Sequence, residues 1–329
     1  MKIGLCVLGC GNFAKTFSES IQPLLTNIDL YFASRDLGKA EQYRQTFNGI
    51  GAFGSYSEAV TSPHVHAIYI CTPHHLHLEH SILAANAGKH ILIEKPIART
   101  LDEGRHIVSI SDKSKVNLMV AENYRFMPAI RLTKQLLDQG AIGKLRVIQI
   151  QQESAYLPIE WRQLKELNGG GVFIDAGIHK VHFLRYLLGE PSVIYATTSK
   201  IGINRNQGED GLVFTSKWDS GEIGLIYHSW TASQPKSSHW ISLSGTEGSI
   251  YLEIGKPLLH LYKGSEHQTF DIAGELNGIL PMAEEFINSI LEKRTPEISG
   301  EEGLADLNLI RIAYESANDK KAILNTSPL

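Results

Sequence analysis

The stretch that most limits what this chain can fold into lies at its beginning. Ile3 to Leu8 is a short apolar run that ends directly in Gly9-Cys10-Gly11-Asn12-Phe13-Ala14, and Phe13 to Ile21 behind it reads as a helix. Glycines in a G-x-G-x-x-A turn between strand and helix allow a tight bend and let a pyrophosphate approach the backbone. The helix N-terminus adds unpaired N–H groups and the positive end of a dipole. The pattern therefore predicts a doubly wound parallel α/β sheet, with Gly9, Gly11, Asn12, Phe13 and Ala14 holding a dinucleotide.

The next strand, Ile28 to Ala33, ends at the position that inspects the adenosine ribose. Many NAD enzymes place an acidic residue there, about 20 residues beyond the glycine turn. This chain has Ser34 followed by Arg35, and a hydroxyl beside a guanidinium suits a 2′-phosphate. A charge-assisted contact of roughly 1.5–3 kcal/mol favours NADP about ten- to a hundredfold. NAD remains open, because Asp36 takes over the ribose role if the turn is shifted by two residues.

Two more strand-helix units follow. His66 to Cys71 reads as a buried strand ending at Thr72-Pro73-His74-His75, and Leu76 to Ala87 as an amphipathic helix stopped by Gly88. Ile91 to Ile93 is the next strand, closed by Glu94-Lys95-Pro96. Open α/β sheets bind ligands at the carboxyl ends of their strands, which puts Lys95 at the ligand crevice; the alternative is a strand-end lysine reaching into solvent. Six histidines lie between His64 and His80, but they fall at opposite ends of a strand and do not converge on one metal ion. Thr72, Pro73, His74, His75 and His77 are expected to line the cofactor crevice instead, with His80 in the helix.

After a helix from about Asp102 to Ser114 and a strand from Asn117 to Glu122, the alternation of strand and helix stops. Residues 1–122 are thus expected to form the dinucleotide-binding domain and 123–329 a second, α+β domain with a mostly antiparallel sheet. Its strands run through Leu145–Glu153, Val193–Lys200, Leu212–Trp218, Glu222–Trp230, Trp240–Ser244 and Ser249–Ile254, several separated by turn signals. The final helices, about Ile279–Glu292 and Gly300–Ala322, cover one face of that sheet or return to the first domain. A length of 329 residues with 43% hydrophobic content supports two such cores. A net charge of −4 gives no reason to expect nucleic acid or a membrane surface as partner, and no apolar run approaches the ~18 residues of a membrane helix. Three cysteines without zinc-type spacing fit reduced packing residues in a cytoplasmic protein.

One helix of the second domain differs from its neighbours. Gly169-Gly170-Gly171 opens it and Gly189 closes it. At about 100° per residue, Asp175, His179, His182 and Tyr186 share one stripe, opposite Val181, Leu184 and Leu188. Such a stripe is a solvated face, a zinc pair, or an acid and an imidazole close enough to share a proton, as general acid–base chemistry needs.

Together these blocks resemble the glucose-fructose oxidoreductase / inositol 2-dehydrogenase (Gfo/Idh/MocA) family. The likeness runs through Gly9 to Ala14, Cys71-Thr72-Pro73, Ala87 to His90, Glu94-Lys95-Pro96, Asn123 to Phe126, Gly169 to Gly189 and Gly245-Thr246-Glu247-Gly248. It implies a Rossmann domain followed by a domain with an open sheet, and NAD(P)-linked oxidation or reduction of sugars or cyclic polyols. It also implies Glu94 and Lys95 beside the cofactor, and Lys95, Asp175 and His179 as catalytic residues. Tyr124, Arg125, Tyr156, Trp161, Arg162 and His182 are candidates for gripping the substrate, with burial in the domain core as the alternative. Two positions depart from the family pattern near the substrate: His74 replaces a frequent Asn, and His182 a frequent Asp. A homo-oligomer, dimer or tetramer, is expected. The competing readings are an NAD-linked inositol or polyol dehydrogenase and a non-catalytic dinucleotide sensor of the same fold.

Overall fold

Strands that are covered on both faces must be apolar throughout, and three of the six strands of the first sheet are such segments. A computed structural model describes residues 2–202, 206–231 and 238–326. Two compact units divide the chain: residues 1–122 with 279–305, and residues 123–278 with 306–329. The stretch 279–305, placed by the sequence reading within 123–329 with a return to the first domain as the alternative, belongs to the first unit.

The first unit begins with β1 (Ile3–Leu8), α1 (Asn12–Ser20), β2 (Ile28–Ala33), α2 (Leu37–Thr46), β3 (Gly51–Phe53) and α3 (Tyr56–Thr61). It continues with β4 (Ala67–Ile70), α4 (His77–Asn86), β5 (His90–Glu94), α5 (Leu101–Ser114) and β6 (Leu118–Ala121). The six strands are parallel in the order β3-β2-β1-β4-β5-β6, the doubly wound arrangement that the glycine turn predicts. All residues of β1, β4 and β6 are buried, each large aliphatic side chain contributing about 1.5–3 kcal/mol. The order reverses between β1 and β4, which opens a crevice at their carboxyl ends. The free edge of β6 is met by the chain itself, where Val120 N–H donates to Ile298 C=O at 3.0 Å.

The second unit contains α6 (Pro128–Asp138), β7 (Leu145–Glu153), α7 (Lys165–Asn168) and α8 (Ile178–Leu188), then the strands β8 (Val193–Ser199), β9 (Gly211–Lys217), β10 (Ile223–Ser229), β11 (Ser238–Gly245), β12 (Ser249–Glu253), β13 (Leu258–Lys263) and β14 (Glu266–Asp271). Helix α9 (Ile279–Leu291) belongs to the first unit, α10 (Gly300–Asp319) continues into the second, and β15 (Ile323–Leu324) ends the chain's regular structure. Nine strands form one sheet, β14-β13-β12-β11-β7-β10-β9-β8-β15, antiparallel except where β7 pairs with β10. Alternate residues of this sheet are buried: Ile148 and Ile150 of β7 lie in the core beside Ile241 and Leu243 of β11. Tyr195, Thr215, Leu225, Gln149, Ser242, Tyr251, His260 and Thr269 form one cross-strand row on the opposite face. Among the described residues no helix is long and apolar enough to cross a membrane.

Candidate functional site

In the first unit, the sequence-predicted cofactor residues gather at the point where strand order reverses. Gly9 follows β1 with φ of 98°, a left-handed backbone that glycine adopts without strain. A Cβ there would lie 2.8 Å from Cys71 C=O and 3.1 Å from the Thr72 methyl, so only glycine lets the turn sit against the loop after β4. Gly11 is the N-cap of α1 and brings no side chain to cap the first N–H groups. A Cβ on Gly11 would meet nothing within 4 Å. The absent side chain therefore leaves room at a helix N-terminus, the geometry that receives a pyrophosphate.

Ser34 directly follows β2 and is buried, its hydroxyl oxygen accepting Asp36 N–H at 3.2 Å. Asp36 is engaged elsewhere: its Oδ1 caps α2 by accepting Lys39 N–H at 3.2 Å. Arg35 between them is exposed. Its charge reaches His75, whose pKa is lowered by burial first and then by Arg99 and Arg35.

Two expected cofactor contacts have other roles. His77 is fully buried, with Nδ1 3.0 Å from Pro96 C=O and Nε2 3.0 Å from Thr72 C=O. It ties the loops after β4 and β5 together from beneath, and burial pushes its pKa down to about 4. Helix α4 turns this ring inward, which local sequence does not reveal. Glu94 is also turned to the core, because successive strand side chains point to opposite faces. Its carboxyl accepts a hydrogen bond from the Tyr69 hydroxyl. Burial raises its pKa to about 7, against the opposing pull of Lys95 and the Tyr69 bond. Half-buried Lys95 follows it, and the Lys95–Pro96 peptide bond is cis.

Two further histidines of this region hold the fold. His66 Nδ1 accepts Gly4 N–H at 2.8 Å. His80 Nδ1 lies 2.9 Å from the Thr72 hydroxyl, and its ring packs edge-on against Tyr56.

In the second unit, a second cluster surrounds the helix after the triple glycine. Its first turn, Phe173–Gly177, is a π-turn leading into α8, a widening that often marks functional sites. Asp175 sits in that turn, 7% exposed, with Oδ2 3.4 Å from Arg162 Nε. Arg162 also lies over the Trp161 ring at 4.4 Å. The Tyr124 ring stacks on His179 at 4.1 Å and 8°, which fixes the plane of the imidazole. Arg125 lies over the Tyr186 ring at 4.7 Å, and Tyr156, 39% exposed, packs against Trp230.

The polar stripe expected along this helix is not a solvated face. Asp175 and His182 are both buried, and His182, expected at the substrate, faces Asp306: its Nδ1 lies 2.7 Å from Asp306 Oδ2, and Asp306 Oδ1 binds Arg185 Nη1 at 2.6 Å. The partner comes from α10, more than a hundred residues away, so helical periodicity could not reveal it. Lys180 escaped the sequence reading altogether. Its side chain is 1% exposed, with Nζ donating to Gln152 Oε1 and, at 2.9 Å, to Ala176 C=O. It lies 5.9 Å from the Tyr124 ring.

Comparison with known proteins points in one direction. Residues 3–122 match the profile of an oxidoreductase family with an NAD-binding Rossmann fold, and residues 130–251 match the GFO/IDH/MocA C-terminal domain. A levoglucosan dehydrogenase of Pseudarthrobacter phenanthrenivorans is 38% identical over 239 residues, 64% of this chain and 61% of that protein. The match thus spans less than two thirds of that relative. A D-xylose 1-dehydrogenase [NADP(+)] of Haloarcula marismortui is 29% identical over 82% of this chain and 78% of its own. A myo-inositol 2-dehydrogenase of Thermotoga maritima is 25% identical over 98% of both. The solved structure of levoglucosan dehydrogenase with NADH shares the fold, with a TM-score of 0.91 at 22% identity over the whole of both chains.

Proposed function

Because this chain belongs to the Gfo/Idh/MocA family, we propose that it is an NAD(P)-dependent oxidoreductase acting on a secondary alcohol or ketone of a sugar, sugar derivative or cyclic polyol, with NADP preferred. The observation that carries the reading is that the first unit keeps an open glycine turn at a helix N-terminus while the second keeps Asp175 and a ring-stacked His179 on one helix.

The residues present fit a nicotinamide dinucleotide. Gly9, Gly11, Asn12, Phe13 and Ala14 would hold its pyrophosphate, Ser34 and Arg35 its adenosine ribose, and Thr72, Pro73 and His75 its nicotinamide half. The bound nicotinamide supplies or takes up the hydride. In the reducing direction, His179 donates a proton to the substrate oxygen, and Lys95 stabilises the developing alkoxide and relays the proton. Asp175 orients His179 and balances its charge, and Arg162 holds that carboxylate from its other side. Tyr124 keeps the imidazole plane fixed, and Trp161, Arg125 and Tyr156 are the substrate-side residues.

The preference for NADP is supported by the exposed Arg35 and by Asp36, whose carboxylate caps α2. We also assign the subunit contact of a homo-oligomer to the open face of the nine-stranded sheet, where Tyr195, Ile223, Tyr251, Leu258 and Tyr262 are more than a third exposed. Light scattering after gel filtration checks this. The free cysteines Cys6, Cys10 and Cys71 suit a reducing compartment such as the cytoplasm.

The function is tested by assaying levoglucosan, D-xylose, myo-inositol and their keto forms with both cofactors, following the reduced nicotinamide by absorbance. Turnover of at least one, faster with NADP than with NAD, is expected. Tight cofactor binding with no turnover across the panel would instead mark a dinucleotide sensor.

A further inference from the structure

A helix begins with N–H groups that its own backbone cannot satisfy, and the helix of Asp175 has no local side-chain cap. Its first donors are taken by two residues from distant parts of the second unit. Gly171 N–H and Ile174 N–H donate to the Tyr314 hydroxyl at 3.3 and 3.2 Å. Val172 N–H donates to Glu209 C=O at 2.9 Å, and Phe173 N–H to Glu209 Oε1 at 2.9 Å. The Tyr314 hydroxyl in turn donates to Glu209 Oε1 at 2.7 Å. One phenol thereby uses its single proton and both lone pairs.

The triple glycine is shaped to this clamp. A Cβ on Gly170 would lie 2.2 Å from the Tyr314 hydroxyl, one on Gly171 2.1 Å from Glu209 C=O, and one on Gly208 2.3 Å from Gly170 C=O. The backbones of 170–171 and 208–209 thus touch directly, and no side chain can be added between them. The Phe173 ring packs edge-on against Tyr314 from inside the π-turn. Burial raises the Glu209 pKa, and the hydrogen bonds from Phe173 N–H and the Tyr314 hydroxyl act against that rise.

We propose that Glu209 and Tyr314 are positioning residues for the acid–base helix: they hold the start of the π-turn and thereby aim Asp175, and His179 through it. Neither residue touches the reacting atoms in this assignment. It rests on the reading of Asp175 and His179 as the acid–base pair. A misplacement of about 1 Å in such a pair costs on the order of 10²-fold.

The test compares Glu209→Ala, Glu209→Gln, Tyr314→Phe and Asp175→Ala, singly and with Glu209→Ala combined with Asp175→Ala. It reads kcat and KM on the substrate that turns over fastest in the panel, NADPH affinity by fluorescence, and hydrogen exchange across 169–179. Glu209→Ala should lower kcat roughly 100-fold with NADPH affinity unchanged and faster exchange confined to 169–179. Glu209→Gln should recover most of the rate, because its amide oxygen still accepts from Phe173 N–H and the Tyr314 hydroxyl. Tyr314→Phe should fall between them. In the Asp175→Ala background, Glu209→Ala should add less than about 3-fold, the non-additivity expected of residues acting through one another. A folded Glu209→Ala or Tyr314→Phe protein with near wild-type kcat, or a Glu209→Ala loss that repeats in full without Asp175, overturns the proposal. An Asp175→Ala protein as active as wild type overturns the acid–base reading itself and is told apart by that single variant. Should Glu209→Ala not fold, Glu209→Gln and Tyr314→Phe carry the same kcat and exchange comparison.

Discussion

Two glycine-rich turns lead into helices in this chain, and the molecule uses them in opposite ways. At Gly9-Cys10-Gly11 the first glycine packs against the Cys71 carbonyl, but the missing side chain of Gly11 faces open space and the helix start has no side-chain cap of its own. At Gly169-Gly170-Gly171 the missing side chains are replaced by Tyr314 and Glu209, and those same residues satisfy the helix start. A glycine signal in sequence therefore reports only that backbone must come close to something. Whether that something is a ligand or the protein itself depends on what the rest of the chain brings there. In the proposed reading the first turn binds and the second holds a neighbouring acid and imidazole still.

The largest expected effect tests whether the binding unit also takes part in chemistry. Lys95→Ala should cost roughly 10²- to 10⁴-fold in kcat with cofactor affinity little changed; near wild-type turnover would confine the first unit to binding. Next comes a matched pair at the two turns. Gly171→Ala must push a methyl into the Glu209 backbone and should destabilise by about 3 kcal/mol or more, seen as a fall in melting temperature. Gly11→Ala should leave the melting temperature alone and weaken NADPH binding about tenfold or more, because its methyl enters ligand space. Equal stability losses at both sites would erase the distinction between an open and a closed turn.

Arg35→Ala sharpens the account of the open turn. NADP affinity should fall about ten- to a hundredfold and NAD affinity should hold, as measured by fluorescence titration. The smallest effect concerns charge beneath the crevice. Glu94 ionises near 4.5 when unfolded but only near 7 when folded. Its contribution is full below about 4.5 and is lost as pH rises through 7. His77 and His80 have the opposite sign: their pKa values fall from 6.5 to about 4 on burial, so stability is lost as pH falls below 6.5. Glu94→Gln should remove the alkaline decline, stabilising the protein at pH 8 by roughly 1–2 kcal/mol relative to pH 5, in urea titrations at both values.

Legibility in the sequence followed burial. The buried strands of the first sheet read clearly, since Ile3–Leu8 and Ala67–Ile70 are apolar throughout and lie in the core, whereas the short, half-buried β3 was missed. Strand β14 carries no such mark: Glu266–Asp271 is polar and almost wholly exposed at the sheet edge, held by backbone pairing with β13. The candidate site divided similarly. Local signals pointed to the glycine turn and to Asp175 and His179, which are neighbours along one helix. They failed for His182 and His77, whose inward orientation depends on Asp306 and on the Thr72 and Pro96 carbonyls.

The amino-acid sequence by itself determined the parallel sheet, the place of the dinucleotide turn and the family, because periodicity and short motifs act over a few residues of backbone. Only the tertiary structure decided which polar side chains face inward and which partner they meet. Glu209, Tyr314 and Asp306 reach the helix of Asp175 and His179 from positions far along the chain. Their effect arises from desolvation and hydrogen bonding across packed elements, which no local pattern encodes.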